Sequence, residues 1–162
     1  LDRGILLKRK AGSTILTPHP GEMARLLYVD NKKVQSDRIE AAVKLARETG
    51  SFVVLKGYRT IIADPEENIW INPTGGQALA TGGTGDILTG VISSFIAQKV
   101  PLLQAAIAGV YIHGFTANLF EHEYPQQALN AMDIPAMWNR AVNLIRTQKN
   151  FEGEYLNLYF TF

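Results

Sequence analysis

Three glycines and one aspartate lie together in residues 81–86, immediately before a helical pattern of apolar residues. The glycines would therefore occupy the amino-terminal end of a helix, where unpaired N–H groups and the positive end of the helix dipole attract anions. Because they have no side chain, Gly82, Gly83 and Gly85 let the backbone approach an anion closely. The pattern predicts a phosphate-binding loop.

Asp86 follows this loop, and a carboxylate beside a phosphate needs its own explanation because like charges repel. One explanation is structural, since the helix dipole favours an aspartate in the first turn. The other is chemical, with Asp86 acting as a base toward a bound substrate. The residues alone leave both open. They do exclude the P-loop, which needs Lys-Ser/Thr after its last glycine, and the dinucleotide fingerprint, which needs a second spaced glycine pair.

The amino-acid composition excludes several classes of protein and partner. The 162 residues are 46% hydrophobic and 19% charged, which predicts one domain with a single core. A net charge of +1 provides no basic field for nucleic acid. The absence of cysteine excludes thiolate chemistry and disulfides and favours a cytoplasmic location. The long apolar stretch 102–120 is interrupted by polar residues, which indicates a buried helix rather than a membrane span.

Strand and helix patterns alternate along the chain, which predicts a layered α/β architecture. The continuous apolar run 52–55 is typical of a strand in a sheet covered on both faces. The turn residues 64–68 predict a hairpin between two short strands. The predicted strands are 13–17, 52–55, 60–63 and 69–71, the predicted helices are 21–28, 37–50, 101–120 and 135–146, and residues 31–33 are predicted as a polar loop.

The tail alternates apolar and polar residues over 155–162, as a half-buried strand does. An exposed strand of this kind promotes aggregation, so it must pair with this chain's own sheet or with a neighbouring copy. Pairing with a neighbouring copy would make the protein a homo-oligomer, which is the expectation.

His19 lies in a loop made rigid by two prolines, directly after the first predicted strand. Ligands of open α/β sheets bind at the carboxyl ends of strands, so His19 is either a ligand contact or a structural loop residue. Of the other two histidines, His113 is predicted to be a satisfied core residue and His122 a surface residue.

A second polar segment, residues 56–60, follows the buried strand 52–55. It places the cation of Lys56, the flexible Gly57 and the hydroxyl of Thr60 at a strand end, and it forms either a ligand loop or a solvated turn. Residues 72–77 then lead into the glycine loop, either as a mobile flap or as a long connection.

In this order the motifs resemble those of the ADP-dependent NAD(P)H-hydrate dehydratases, which belong to the ribokinase-like superfamily. The resemblance runs over most of residues 13–145. It depends on Thr-Pro-His-Pro-Gly-Glu at 17–22, Leu-Lys-Gly at 55–57, Gly-Thr-Gly-Asp-Ile-Leu-Thr-Gly at 83–90, His-Gly at 113–114 and Ala-Met-Asp at 131–133. The segment 75–79 departs from the family's usual Gly-Asn-x-Gly-Met, and Met132 stands where serine is common.

The resemblance implies a three-layer ribokinase-like, Rossmann-like fold and a lyase that dehydrates hydrated NADH and NADPH, with ADP as cosubstrate and AMP and phosphate as products. It further implies that Asp86 is catalytic and, with His19, contacts the hydrated nucleotide. The residues that it implies for binding ADP are Lys56, Gly57, Tyr58, Arg59, Thr60, Gly83, Thr84 and Gly85. Mg²⁺ would offset phosphate charge, although no ligand cluster for it is apparent.

Family members also possess a large amino-terminal half, so residues 1–150 correspond to the carboxyl-terminal part of the domain and 151–162 to an apolar tail. The chain is then a fragment, the partner of a separate half or of an epimerase domain, or a reduced relative that assembles with itself. Two other functions stay open: a small-molecule kinase of the same superfamily, such as a hydroxyethylthiazole kinase, and an inactive nucleotide-binding fragment.

Overall fold

A computed structural model describes Gly4 and residues 7–147 of the chain. This part contains four strands and six α-helices. The strands are β1 (Ile15–Leu16), β2 (Phe52–Leu55), β3 (Ile61–Ala63) and β4 (Ile69–Ile71). The helices are α1 (Pro20–Leu27), α2 (Asn31–Ser36), α3 (Arg38–Thr49), α4 (Thr84–Ala97), α5 (Leu102–Glu123) and α6 (Asp133–Thr147), with short 3₁₀ turns at Gln77–Ala80 and Gln126–Ala128.

The strands form one mixed sheet in the order β1-β2-β3-β4. Strand β1 pairs with β2 in parallel, whereas β2, β3 and β4 are successively antiparallel. The predicted hairpin is therefore confirmed. Its turn is closed by the Asp64 carboxylate, which accepts hydrogen bonds from the backbone and side-chain nitrogens of Asn68 at 2.8 and 2.9 Å.

Both faces of the sheet are covered, as the apolar run 52–55 predicts. Val53 and Leu55 pack with α1 and α3 in one buried cluster, whereas Val54 packs with α4 and α5 in another. The helices and the sheet form three layers, which confirms the expected α/β architecture. The carboxyl end of β2 delivers residues 56–60 to the same region as the start of α4.

Local capping explains the bounds of α3, which match the prediction. Asp37 accepts a hydrogen bond from the backbone N–H of Glu40 at 2.9 Å, and Gly50 ends the helix in a left-handed conformation. The prediction of a polar loop at residues 31–33 is wrong, because these residues begin α2. Asp30 caps this helix through the N–H of Lys33 at 2.8 Å, and Val34 anchors it in the core.

Helix α5 is the central helix of the layer opposite α1 and α3. By length and composition it is the one helix of the described residues that could cross a membrane, but 56% of its most apolar window is buried inside the fold. It packs against α4 and α6. A core helix of a folded domain has these properties, as the polar interruptions predict. The predicted tail strand 155–162 lies outside the described residues.

Candidate functional site

The glycine loop begins α4 without a side-chain cap. Gly83 is the N-cap residue, with a left-handed backbone at φ 88°, and no side chain bonds to the first turn. The N–H groups of Gly82, Gly83 and Gly85 form no hydrogen bond with any described residue. These amides, at the positive end of the α4 dipole, can bind an anion.

The carboxylate of Asp86 is exposed and forms neither a hydrogen bond nor an ion pair within the described part of the chain. Its backbone N–H is used locally, bonding the carbonyl of Gly83 at 3.1 Å. The side chain therefore makes no capping hydrogen bond, although its place in the first turn suits the helix dipole. It is available to a ligand beside the free amides.

A cavity of about 550 Å³ adjoins this loop. The volume is within the range of small-molecule sites. Helices α4 and α5 and the two loops that follow β2 and β4 form its walls. The lining residues are Lys56, Gly57, Tyr58, Thr60, Asn72, Thr74, Gly75, Gly76, Gln77, Leu79, Ala80, Thr84, Gly85, Leu88, Val110, His113 and Gly114.

Lys56 brings a positive charge to the glycine loop. A Cβ atom on Gly85 would lie 3.1 Å from the Lys56 ammonium nitrogen, so the lysine touches the first turn of α4. The same nitrogen lies 3.7 Å from a carboxylate oxygen of Glu22. An ammonium group and a helix amino terminus thus converge on one point, an arrangement that suits phosphate.

His19 caps α1. Its Nδ1 accepts hydrogen bonds from the N–H groups of Gly21 and Glu22 at 3.1 and 3.3 Å, while the Glu22 carboxylate accepts from the backbone N–H of His19 at 2.6 Å. This reciprocal capping box orients the ring. The structural explanation of His19 therefore applies, and its Nε2 lies 3.5 Å from a carboxylate oxygen of Glu22.

The loop that carries His19 is tied to the glycine-loop helix, because the Thr17 hydroxyl lies 3.2 Å from that of Thr89, one turn beyond Asp86. His19 itself does not line the cavity. The Glu22 carboxylate is close to both His19 and Lys56, at 3.5 Å from the imidazole and 3.7 Å from the ammonium nitrogen.

His113 is the core residue that the sequence predicts, and it has a further role at the cavity. It is a buried, hydrogen-bonded core residue, with Nε2–H donating to the carbonyl of Thr84 at 3.0 Å. It also lines the cavity and holds the first turn of α4, which the sequence did not indicate. Burial lowers the pKa of His113 from 6.5 to about 4, so the ring is neutral near pH 7.

Arg38 is a second residue that the sequence did not indicate. From the start of α3 its guanidinium donates to the carbonyls of Tyr58 at 2.6 Å, Leu55 at 3.4 Å and Lys56 at 3.5 Å. Burial lowers the pKa of Arg38, and its Nε has no hydrogen-bond partner. A Cβ on Gly57, whose φ is 140°, would lie 2.9 Å from this guanidinium. Arg38 thus supports the 56–60 loop from behind.

Most of the residues that the sequence nominated lie together. Lys56, Gly57, Tyr58, Thr60, Thr84 and Gly85 line the cavity. Gly83 and Asp86 belong to the adjoining loop without lining the cavity, and Arg59 stacks its guanidinium 5.6 Å over the ring of Tyr58. No group of three or more potential metal-ligating side chains occurs within residues 7–147.

Comparison with known proteins gives a consistent result. The family model described as NAD(P)H-hydrate dehydratase matches residues 2–139. The chain is 45% identical over 115 residues to the ADP-dependent (S)-NAD(P)H-hydrate dehydratase of Neisseria meningitidis, covering 71% of this chain and 39% of that protein. It is 40% identical over 148 residues to the Bacillus subtilis enzyme of the same name, covering 86% of this chain and 54% of the relative.

Solved structures agree. The chain superposes with a TM-score of 0.79 at 38% identity on the ADP/ATP-dependent NAD(P)H-hydrate dehydratase of Bacillus subtilis co-crystallised with ATP/Mg²⁺, covering 86% of this chain and 52% of that one. The hydroxyethylthiazole kinase of Pyrococcus horikoshii, at 21% identity and a TM-score of 0.63, shares the fold. The chain spans about half the length of the Bacillus relative and less of the Neisseria one.

Proposed function

Because its family model covers residues 2–139, the chain belongs to the NAD(P)H-hydrate dehydratase family, and we propose that it carries the ADP site and the catalytic base of an enzyme that dehydrates hydrated NADH and NADPH. One observation carries the proposal. Free loop amides and the unpartnered Asp86 carboxylate lie at the start of α4, where the Lys56 ammonium contacts Gly85 beside a cavity large enough for a small-molecule ligand. A phosphate-transfer site needs these three groups.

ADP would occupy the cavity with its phosphates at the glycine loop. The amides of Gly83 and Gly85 would bind phosphate oxygens, Lys56 would neutralise part of their charge, and the apolar walls would receive the rest of the nucleotide. The hydrated nicotinamide would then approach from the exposed side of Asp86, where His19 lies beyond Glu22. Glu22 would keep Lys56 and His19 in place.

The chemistry follows from this placement. Asp86 accepts the proton of the ring hydroxyl as the hydroxyl oxygen attacks the β-phosphorus of ADP. The bond from that phosphorus to the AMP oxygen breaks at the same time. The loop amides stabilise the charge on the transferred phosphoryl group. The lone pair of the ring nitrogen then expels phosphate, and loss of a proton from the neighbouring ring carbon restores the double bond.

Mg²⁺ fits this site as a phosphate-bound ion. The described residues contain no three-ligand cluster, and Mg²⁺ commonly binds through phosphates and water with one or two carboxylates. When bound, the ion would offset phosphate charge.

The test is turnover of hydrated NADH by the folded chain with ADP and Mg²⁺, followed by the return of reduced-nicotinamide absorbance. We expect ADP-dependent recovery, and Asp86→Asn should lower kcat by about 10²- to 10⁴-fold while changing the Kd for ADP much less. The exposed hairpin variant Glu66→Gln is the matched control and should keep full activity. A full-length relative run in parallel shows that the substrate is competent.

Product analysis separates the kinase from the dehydratase. Formation of a phosphorylated alcohol from a small-molecule substrate would favour the kinase, whereas AMP, phosphate and reduced nicotinamide in equal amounts would favour the dehydratase. Full turnover by Asp86→Asn would remove Asp86 from the role of base. Absent turnover, with the relative active, would indicate a nucleotide-binding fragment.

The cellular location and the assembly of the protein are also part of the proposal. The lack of cysteine supports a cytoplasmic location, and the alternating tail supports a homo-oligomer. The relatives are about twice as long or longer, so the remainder of a dehydratase domain is the natural further partner.

A further inference from the structure

One wall of the cavity is a backbone segment, residues 74–80, which we call the strap. All of its residues except Ala78 line the cavity, and Ala78 is buried instead in a core cluster with α5. Six of its seven residues belong to the cavity wall, so the position of the strap affects the shape of the cavity.

Four residues of α5 hold the strap. Tyr111, Gly114, Asn118 and Glu121 follow one another at spacings that place them on a single helix face. The Tyr111 carbonyl accepts from the Thr74 hydroxyl at 2.8 Å. Asn118 Oδ1 accepts from the N–H of Gly75 at 2.7 Å, and Glu121 Oε1 accepts from the N–H of Ala78 at 2.9 Å.

Glu121 has no cationic partner among the described residues. Its negative charge interacts instead with the backbone N–H of Ala78 in the strap. A hydrogen bond from a backbone N–H to a carboxylate is stronger than one between neutral groups. At Gly114 a Cβ would lie 2.9 Å from the nitrogen of Gly75, so helix and strap are in backbone contact there.

Gly76 shows how closely the two parts fit. A Cβ at this position would lie 2.5 Å from Oε2 of Glu121, a separation that real Cβ atoms do not adopt. The backbone of Gly76, at φ −134°, is an extended conformation open to any residue. A side chain at position 76 would therefore displace the Glu121 carboxylate from its place on the strap, whereas the backbone angles alone would admit any residue.

We propose that Asn118 and Glu121 are positioning residues of the nucleotide site, which fix the strap as a wall of the cavity, with the Glu121 carboxylate filling the space that a side chain at position 76 would occupy. The ligand of this inference, ADP, rests on the proposed function. Neither residue lines the cavity, so both act through the strap.

The first test is a double-mutant cycle on Gly76→Ala and Glu121→Ala, with Kd for ADP measured by calorimetry. Each single change should weaken binding by about tenfold, which is the loss of one charged hydrogen bond. The double variant should bind no more weakly than Glu121→Ala, because the clash is gone. A combined loss of about a hundredfold, or no loss in either single variant, would overturn the proposal.

Gly75→Ala is the matched control. Gly75 has φ +88°, and a Cβ there would meet Leu79 at 2.8 Å, so its cost does not depend on Glu121. Its loss of ADP affinity should be the same with and without Glu121→Ala. Rescue of this variant as well would mean that Glu121→Ala loosens the strap generally and that no specific pair exists.

The second test needs no nucleotide. Amide hydrogen exchange should be faster at Ala78 in Glu121→Ala and at Gly75 in Asn118→Ala, with β2 unchanged. Unchanged exchange at both amides would overturn the proposal. A parent chain that binds no ADP would overturn the proposed function instead, and the exchange data would then decide whether the two side chains hold the strap.

Discussion

Burial keeps His113 uncharged. Its Nε2–H donates to the Thr84 carbonyl in either protonation state, so a second proton would place charge at Nδ1, for which the described residues provide no acceptor. The folded-state pKa of about 4 lies below the ordinary value of 6.5. Between these two pH values the unfolded chain binds more protons than the folded one, so this contribution to stability is full above pH 6.5 and is lost as the pH falls toward 4.

Substituting His113 by glutamine removes this dependence. His113→Gln keeps a donor for the Thr84 carbonyl but does not titrate. For the parent chain we expect the His113 contribution to the free energy of unfolding to fall by about 2 kcal/mol between pH 7 and pH 5. Urea unfolding at pH 7, 6 and 5 measures it as the difference between parent and variant. An equal pH dependence of the free energy of unfolding in His113→Gln and in the parent would contradict the assignment.

Residues whose role is local were predictable, and residues whose role is tertiary were not. The glycine loop and Asp86 can be recognised from the sequence because amides, glycines and a carboxylate are adjacent in it. Arg38, Asn118 and Glu121 act on backbone groups 17 to 43 positions away. A single sequence carries no signal for such contacts.

At the scale of elements, α3 and the 56–60 loop behave as one unit. Arg38 is the first residue of α3, and its three carbonyl acceptors belong to the end of β2 and the loop after it. The pairing sets the loop conformation from a residue that does not itself line the cavity. The loop can therefore present Lys56 and Thr60 to the cavity without rearranging.

Arg38→Met should weaken ADP binding by about tenfold or more, because hydrogen bonds from a charged donor are lost and the loop is released. Arg47→Met is the control on the same helix. Arg47 is exposed, forms an ion pair with Glu67 at 3.0 Å and does not line the cavity. Calorimetric titration of both folded variants gives the comparison. Equal Kd values for ADP in the two variants would show that Arg38 only packs.

The elements themselves followed from sequence where caps and periodicity agreed, as in α3 with Asp37 and Gly50. Helix α2 was missed because its one buried apolar residue, Val34, gives no period, and the cap at Asp30 was the available signal. The sequence does not decide whether residues 72–77 form a mobile flap or a connection, because the position of the strap depends on hydrogen bonds to α5.

At the scale of the whole molecule, the site exists only when the domain is folded. Its walls come from residues 56–60, 72–80, 84–88 and 110–114, which the sheet and helices α4 and α5 bring together. The unfolded chain has no such cavity. ADP should therefore bind the native state alone and stabilise the entire domain in proportion to its affinity.

This linkage gives a thermal prediction. ADP at 100 times its Kd should stabilise the folded chain by about 2.7 kcal/mol, which for a domain of this size is a rise in Tm of roughly 5 to 10 °C. Lys56→Met should lose most of the rise in Tm, because the variant lacks the ammonium group that contacts Gly85. Lys32→Met, on α2 outside the cavity, should keep it. Scanning calorimetry measures all three chains, and the same shift in Lys56→Met as in the parent would mean that ADP binds elsewhere.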